Sequence, residues 1–89
     1  MPVVLSPEAV ADLRDIRAYI AYDNPEAASR IAVQLVAACD GLEQLSTRGR
    51  PGRIAGTREL ASVAPYVIVY RVTATAVQIV RIWHHAQAR

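Results

Sequence analysis

The sequence is poor in cysteine and contains no long apolar run, and each of these two shortages excludes a class of protein. A single cysteine among 89 residues excludes an internal disulfide framework and a cysteine-based zinc site. No apolar stretch approaches the roughly 18 residues that a membrane-spanning helix needs. The N-terminus also lacks the basic segment and the apolar core of a secretory signal. These absences predict a cytoplasmic protein without membrane association, and the length predicts one domain over residues 1–89.

The absence of lysine leaves arginine as the source of all ten basic charges, and these are distributed unevenly. Residues 1–47 contain three arginines and seven acids, a net charge of −4, whereas residues 48–89 contain seven arginines and one acid, a net charge of +6. Arginine favours bidentate contacts with phosphate and carboxylate groups. The asymmetry therefore predicts an anionic partner for the C-terminal half, either a nucleic acid or an acidic protein.

Two helix-start signals occur in the first third of the chain. Ser6 before Pro7, and Asn24 before Pro25, each combine a capping side chain with a proline at the first helical position. The short link between the two predicted helices favours an antiparallel hairpin. The second helix is predicted to run to about Leu45 and to bury one apolar stripe, formed by Ile31, Leu35, Ala38, Leu42 and Leu45.

The rest of the chain is typical of strands joined by short connections. Residues 48–57 contain three glycines, one proline and three arginines, which predicts a basic loop. Apolar, β-branched and aromatic runs predict four strands, over residues 3–5, 58–63, 66–72 and 77–84, with a turn centred on 74 and 75. The order β-α-α-β-β-β predicts an α+β fold in which the helical hairpin packs on one face of a small antiparallel sheet.

One candidate site lies on the last two predicted strands. A turn at 74 and 75 predicts four cross-strand pairs: Val72 with Val77, Tyr70 with Ile79, Ile68 with Arg81, and Tyr66 with Trp83. This register places Tyr66, Tyr70, Arg81 and Trp83 on one face of the sheet. Such an aromatic and arginine patch suits base stacking and equally suits a protein interface. The alternative is an arginine whose stem packs on the aromatic rings while its head lies in water or pairs with Glu59.

Other candidate residues lie in the basic loop and at the end of the last strand. Arg48, Arg50 and Arg53 either contact a partner or are simply solvated. His84 is a candidate acid or base, with a solvent-facing or hydrogen-bonded role as the alternative. His84 and His85 are adjacent and point to opposite faces of a strand, so no metal site is predicted. Cys39 is expected to be a buried, inert thiol.

Four stretches of the chain carry a resemblance to known proteins: Leu5–Ala9 into Asp12–Leu13, Gly56–Leu60, Tyr66–Val72 and Val77–His84. Together they resemble the RelE/ParE toxin superfamily of bacterial type II toxin–antitoxin systems. The resemblance implies a small cytoplasmic protein that arrests growth when free and is silenced by a cognate antitoxin. It implies no cofactor, and it implies contact with operator DNA only through the antitoxin.

The superfamily divides into RelE-like ribosome-dependent messenger RNA endonucleases and ParE-like inhibitors of DNA gyrase. Nuclease members carry an arginine early in the third strand, where this chain has Val67, and their terminal segment often supplies a catalytic side chain, whereas no tyrosine or acid follows Trp83 here. The resemblance is therefore closer to the ParE branch. The alternatives are a RelE-like nuclease, with Arg58, Arg81 and His84 as its catalytic residues, and an antitoxin-binding member without toxicity.

The resemblance also assigns a set of residues to antitoxin or target binding. The set combines the loop arginines with the arginines, aromatic residues and histidine of the strands. Its members are Arg48, Arg50, Arg53, Arg58, Tyr66, Tyr70, Arg71, Arg81, Trp83 and His84.

Overall fold

The computed structural model of the protein describes residues 1–87. Residues 88 and 89, which end the segment that follows Trp83, lie outside the described residues. The elements are β1 (Val3–Leu5), α1 (Pro7–Asp23), α2 (Pro25–Gly41), β2 (Arg50–Pro51), β3 (Arg58–Leu60), β4 (Tyr66–Val72), β5 (Val77–His84) and a closing 3₁₀ turn (His85–Gln87).

Across residues 1–87 the strands form one five-stranded sheet in the order β1-β5-β4-β3-β2. The predicted α+β fold with a helical hairpin on a small sheet is confirmed. Three details of the sheet differ from the sequence prediction, and one is that the strand predicted over residues 58–63 ends at Leu60. Strand β1 pairs with β5 in parallel, which makes the sheet mixed, and the basic loop contains the short strand β2, which pairs with β3.

Both helices begin where the sequence predicts. The Ser6 hydroxyl accepts a hydrogen bond from the amide of Ala9 at 3.0 Å, and the Asn24 side chain accepts one from the amide of Ala27 at 3.0 Å. The Ser6 hydroxyl also donates to the carbonyl of Val80 at 2.8 Å. The start of α1 is therefore fixed to the edge of β5 by the residue that caps it.

The second helix ends earlier than predicted. Helix α2 stops at Gly41, and the amides of Leu42 and Glu43 bond to carbonyls three residues back, so the chain continues as tight turns. Glycine has a low helix propensity, which favours the end at this residue. Leu42 is still fully buried, but Leu45 is 60% exposed, so the prediction that Leu45 belongs to the buried stripe is wrong.

The hydrophobic core lies between the hairpin and one face of the sheet, which we call the helix face. Helix α2 contributes Leu35 and Cys39, both fully buried, and Ile31 packs at the border. The strands contribute apolar and aromatic side chains from β3, β4 and β5. These are Leu60, Tyr66, Ile68, Tyr70, Val77, Ile79 and Ile82.

The turn between β4 and β5 spans residues 73–76 as predicted, although it has no glycine or asparagine. The Thr73 hydroxyl accepts from the amides of Ala76 at 3.1 Å and Thr75 at 3.3 Å, and it donates to the Ala76 carbonyl at 3.1 Å. The threonine side chain therefore stabilises the turn locally.

A β-bulge at Val80 changes the register between β4 and β5. Pairing follows the prediction from the turn as far as Tyr70 and Ile79, but Arg81 then pairs with Val69. The predicted pairs of Ile68 with Arg81 and of Tyr66 with Trp83 are therefore wrong. The observed partners are Ile82 for Ile68 and His84 for Tyr66. The bulge adds one residue to β5. The side chains of β5 that follow Val80 therefore lie on the face opposite to the predicted one.

Neither helix within residues 1–87 has the length and hydropathy of a membrane span.

Candidate functional site

The bulge at Val80 separates the predicted aromatic and arginine patch into two parts. Tyr66 and Tyr70 lie on the helix face and are buried in the core. The side chains of paired residues share a face, so Arg81 and Trp83 lie on the opposite face, which carries neither helix and which we call the helix-free face. Its members are Val4, Arg50, Glu59, Val67, Val69, Arg71, Gln78, Arg81 and Trp83.

A row of paired residues crosses the helix-free face from β2 to β5. It runs through Arg50, Glu59, Val69 and Arg81. Glu59 is only 5% exposed, and its carboxylate lies 3.6 Å from the guanidinium of Arg50 and accepts a hydrogen bond from the amide of Arg53 at 3.0 Å. The carboxylate is thus satisfied from the basic loop, and it pairs with neither Arg58 nor Arg81.

The Arg81 guanidinium is held by α1. Its Nε and Nη2 donate to the two carboxylate oxygens of Asp12 at 2.7 and 2.9 Å, and its centre lies 5.3 Å from the centroid of the Trp83 ring. Asp12 also accepts from the amide of Ile82 at 2.9 Å. The bond to Asp12 raises the pKa of Arg81. Arg81 is therefore fixed in a bidentate pair rather than extended freely into water.

Arg58 and Tyr70 position the basic loop. The Arg58 guanidinium donates to the carbonyls of Gly49 at 2.7 Å and Thr47 at 3.4 Å. The buried Tyr70 hydroxyl donates to the carbonyl of Ser46 at 2.7 Å and accepts from the amide of Gly49 at 2.8 Å. Sequence analysis treated both side chains as partner contacts and missed this arrangement, in which the Tyr70 hydroxyl reaches residues more than 20 positions away.

The loop that these contacts hold presents its arginines to solvent. Arg48, Arg50 and Arg53 are all exposed, and Arg71 is exposed on the helix-free face. The loop is closed at its far end by the amide of Gly52, which donates to the carbonyl of Thr57 at 2.7 Å. The predicted basic loop is therefore a fixed surface whose cations are available for an anionic partner.

The three residues named as catalytic for a nuclease do not share a face. Arg58 pairs with Tyr70 and His84 with Tyr66, so both lie on the helix face, whereas Arg81 lies on the helix-free face. The His84 ring packs edge-on against Tyr66, 5.7 Å between centroids, and its Nδ1 accepts from the amide of Ala86 at 3.1 Å.

The part of the chain that the structure describes contains no group of three or more histidine, cysteine, aspartate or glutamate residues placed to hold a metal ion. Cys39 is 1% exposed. Burial, and secondarily the charge of Asp40, raise the pKa of the Cys39 thiol to about 11. A protonated, buried thiol is a poor nucleophile.

Two concave surfaces were missed by sequence analysis. One is an apolar groove of about 1030 Å³ on the outer side of the hairpin, where Val10, Val33 and Val36 are exposed. The other is a groove of about 840 Å³ between α1 and β5, lined by Asp12, Asp15, Ile16, Tyr19, Tyr66, Arg81, Ile82, Trp83 and His84. The sequence signal for the second was the spacing of Asp12, Asp15 and Tyr19 on one side of α1.

Known proteins similar to this chain are bacterial toxins. The family model described as "ParE toxin of type II toxin-antitoxin system, parDE" matches residues 3–89. Toxin RelE2 of Caulobacter vibrioides is 47% identical over 85 residues, which cover 96% of each chain. Putative toxin Y4kP of Sinorhizobium fredii is 41% identical over 80 residues, which cover 89% of this chain and 82% of the relative.

A solved structure titled "Chromosomal ParDE TA system from P. aeruginosa" has the same fold. It superposes with a TM-score of 0.88 at 28% sequence identity and covers 94% of this chain and 95% of that one.

Proposed function

This chain belongs to the ParE toxin family of type II toxin–antitoxin systems, and on that premise we propose that it stops growth by binding DNA gyrase. The protein acts in the cytoplasm, uses no cofactor or metal, and is neutralised by a cognate antitoxin encoded beside it. Contact with operator DNA is made only through that antitoxin.

The separation of the nuclease candidates supports binding over RNA cleavage. Cleavage through the 2′-hydroxyl needs a base, an acid and a cation on the scissile phosphate, all within reach of one bond. Arg81 and His84 both line the groove between α1 and β5, but the Arg81 guanidinium is already paired with Asp12. Arg58 lies outside that groove and donates to the carbonyl of Gly49. Val67, in the strand position where nuclease relatives carry arginine, is 2% exposed and apolar.

The exposed arginines support an acidic antitoxin segment as the partner of the basic loop and the helix-free face. Arg48, Arg50, Arg53 and Arg71 are exposed there, and Glu59, the one acid of residues 48–89, is buried. An antitoxin that binds only the folded toxin also stabilises it. Because surface charges are screened within about 8 Å at physiological ionic strength, the affinity of this contact falls with added salt.

The outer groove of the hairpin supports a second, apolar part of the antitoxin interface. Val33 is 69% exposed, and Val10 and Val36 are 41% and 42% exposed, all lining one groove. A contiguous apolar patch on a small protein marks a surface that a partner covers.

The second candidate function is ribosome-dependent cleavage of messenger RNA. It is favoured by the names of two relatives, Toxin RelE1 and Toxin RelE2 of Caulobacter vibrioides, which are 33% and 47% identical to this chain.

Two assays with the purified toxin distinguish the candidates: inhibition of gyrase supercoiling, and primer extension on ribosome-bound messages. We expect inhibition of supercoiling without cleavage. Arg71→Ala and Trp83→Ala should weaken inhibition if the helix-free face contacts gyrase, and Arg30→Ala, an exposed arginine on α2, should not. Cleavage at defined codons that His84→Ala abolishes, with supercoiling unaffected, would establish the nuclease instead.

A further inference from the structure

The groove between α1 and β5 lies at an edge of the sheet. Strand β1 covers only Val77–Ile79 of β5, and the chain then turns into α1, which runs beside the rest of β5. The groove that results has aromatic residues from both sides, Tyr19 from α1 and Tyr66 and Trp83 from the strands. Its volume of about 840 Å³ is large enough for a side chain of a partner protein.

One guanidinium already occupies part of this groove. Arg81 lies with its donors on the carboxylate of Asp12 and its plane near the ring of Trp83, 5.3 Å from the centroid. The two carboxylate oxygens accept hydrogen bonds from two N–H groups of the guanidinium, and the face of the aromatic ring attracts its positive charge. The chain itself thus shows which chemical group this combination of side chains holds.

The same combination of residue types, an acid and an aromatic ring, is repeated farther along α1. Asp15 and Tyr19 follow Asp12 at helical spacing and line the groove. Tyr19 is 82% exposed, and it lies close enough to Tyr66 to add to the effect of burial in raising the pKa of the Tyr66 hydroxyl. Within residues 1–87 no arginine or histidine forms an ion pair with Asp15.

The charge of this region is opposite to that of the basic loop. Glu8, Asp12 and Asp15 lie at helical spacing along α1, and Arg81 bonds to Asp12 and lies near Glu8. The net charge of these four groups is −2, in a chain whose C-terminal half is strongly positive. A phosphate or a nucleic acid backbone is repelled by this charge, whereas a cationic side chain is attracted.

The groove accepts a side chain rather than an added strand. An extended segment that pairs with the edge of β5 needs the free amide of Ile82, but the Asp12 carboxylate already accepts from that amide at 2.9 Å. A helix or loop that inserts one long side chain between Tyr19 and Trp83 leaves this bond intact.

We propose that the groove between α1 and β5 binds an arginine side chain of a partner protein, with its guanidinium on Asp15 and against Tyr19 and Trp83. Arginine suits the site better than lysine because its planar group both stacks on aromatic rings and bonds carboxylates in a fork. The proposal is independent of the toxin's target and of the binding role of the basic loop.

The test is a titration of the full chain with N-acetyl-arginine amide, followed by the fluorescence of Trp83, the sole tryptophan. We expect a saturable change with a dissociation constant on the order of millimolar, since one side chain makes few contacts. N-acetyl-citrulline amide, the neutral analogue of the same shape, should give no saturable change.

Two pairs of matched variants locate the site. Asp15→Asn and Tyr19→Ala should each weaken binding about two- to fivefold, as expected for an exposed ion pair or cation–π contact. Asp23→Asn and Tyr22→Ala alter an exposed acid and an exposed tyrosine of the same helix outside the groove, and they should leave the titration unchanged. Because Asp15 and Tyr19 are exposed, these variants should fold normally.

Several results would overturn the proposal. One is the absence of a saturable change, and another is an equal response to the citrulline analogue or to adenosine monophosphate. Equal losses of affinity for N-acetyl-arginine amide in the groove variants and in their controls would also refute it. Binding by a variant that lacks residues 88 and 89, without binding by the full chain, would assign the groove to the chain's own terminus and contradict a partner site.

Discussion

Removal of the Asp12 carboxylate should destabilise the fold more than removal of any other acid on α1. Asp12 makes two hydrogen bonds to Arg81 and one to the amide of Ile82, and its side chain is 14% exposed. A bond from a partly buried amide to a carboxylate contributes about 1.5–3 kcal/mol. The pair with Arg81, whose side chain is 39% exposed, adds about 0.5–1 kcal/mol after screening by solvent. Asp12→Ala should therefore cost about 2–4 kcal/mol of unfolding free energy.

Urea unfolding at neutral pH measures this cost against two comparisons. Asp12→Asn keeps an acceptor for the Ile82 amide but loses the charge, so it should cost less than Asp12→Ala. Asp15→Ala, an exposed acid on the same helix, should change stability by less than about 0.5 kcal/mol. A cost for Asp12→Ala as small as that of Asp15→Ala would show that the edge of β5 does not depend on this carboxylate.

Three further predictions concern the core and the loop. Leu42→Ala should lower the free energy of unfolding in urea by about 2–5 kcal/mol, and Leu45→Ala should lower it by less than about 0.5 kcal/mol. Equal losses would show that the end of α2 is assigned incorrectly. Gly49→Ala should lower the melting temperature, because a Cβ there would lie 2.7 Å from the buried Tyr70 ring; an unchanged melting temperature would contradict the loop contact. Burial raises the pKa of Cys39 from 9.0 to about 11. The protonated thiol therefore contributes fully to the free energy of unfolding below pH 9, and this contribution falls by about 1.4 kcal/mol per pH unit as the pH rises towards 11. The stability of wild type should therefore fall more between pH 9 and 10.5 than that of Cys39→Ala, and parallel curves would refute this.

Local signals predicted most of the fold. The caps Ser6 and Asn24 fix the helix starts through bonds to amides three residues away. The sequence near each cap is therefore sufficient to predict where the helix begins. The strands Tyr66–Val72 and Val77–His84 match the prediction because β-branched runs and a four-residue turn are also local features. The parallel pairing of β1 was not predictable in this way, since it joins Val3 to Val77 across almost the whole chain.

The candidate site was predicted less well because its geometry depends on contacts between distant residues. The bulge at Val80 lies where the Ser6 hydroxyl bonds to its carbonyl, 74 positions apart, and no pattern within β5 marks it. Arg81 is held by Asp12, 69 positions away. Residue type alone predicted that the loop arginines would be exposed, because a charged loop rich in glycine rarely enters a core.

The order in which synthesis stops in living cells tests the central claim, that this toxin acts by binding gyrase rather than by cutting messages. Expression of the toxin without its antitoxin is followed by pulse labelling with thymidine and with methionine. The account predicts that thymidine incorporation falls first, while methionine incorporation and the length of messenger RNA stay normal. An immediate fall in methionine incorporation, with messages cut at defined codons and thymidine incorporation falling only later, would contradict it.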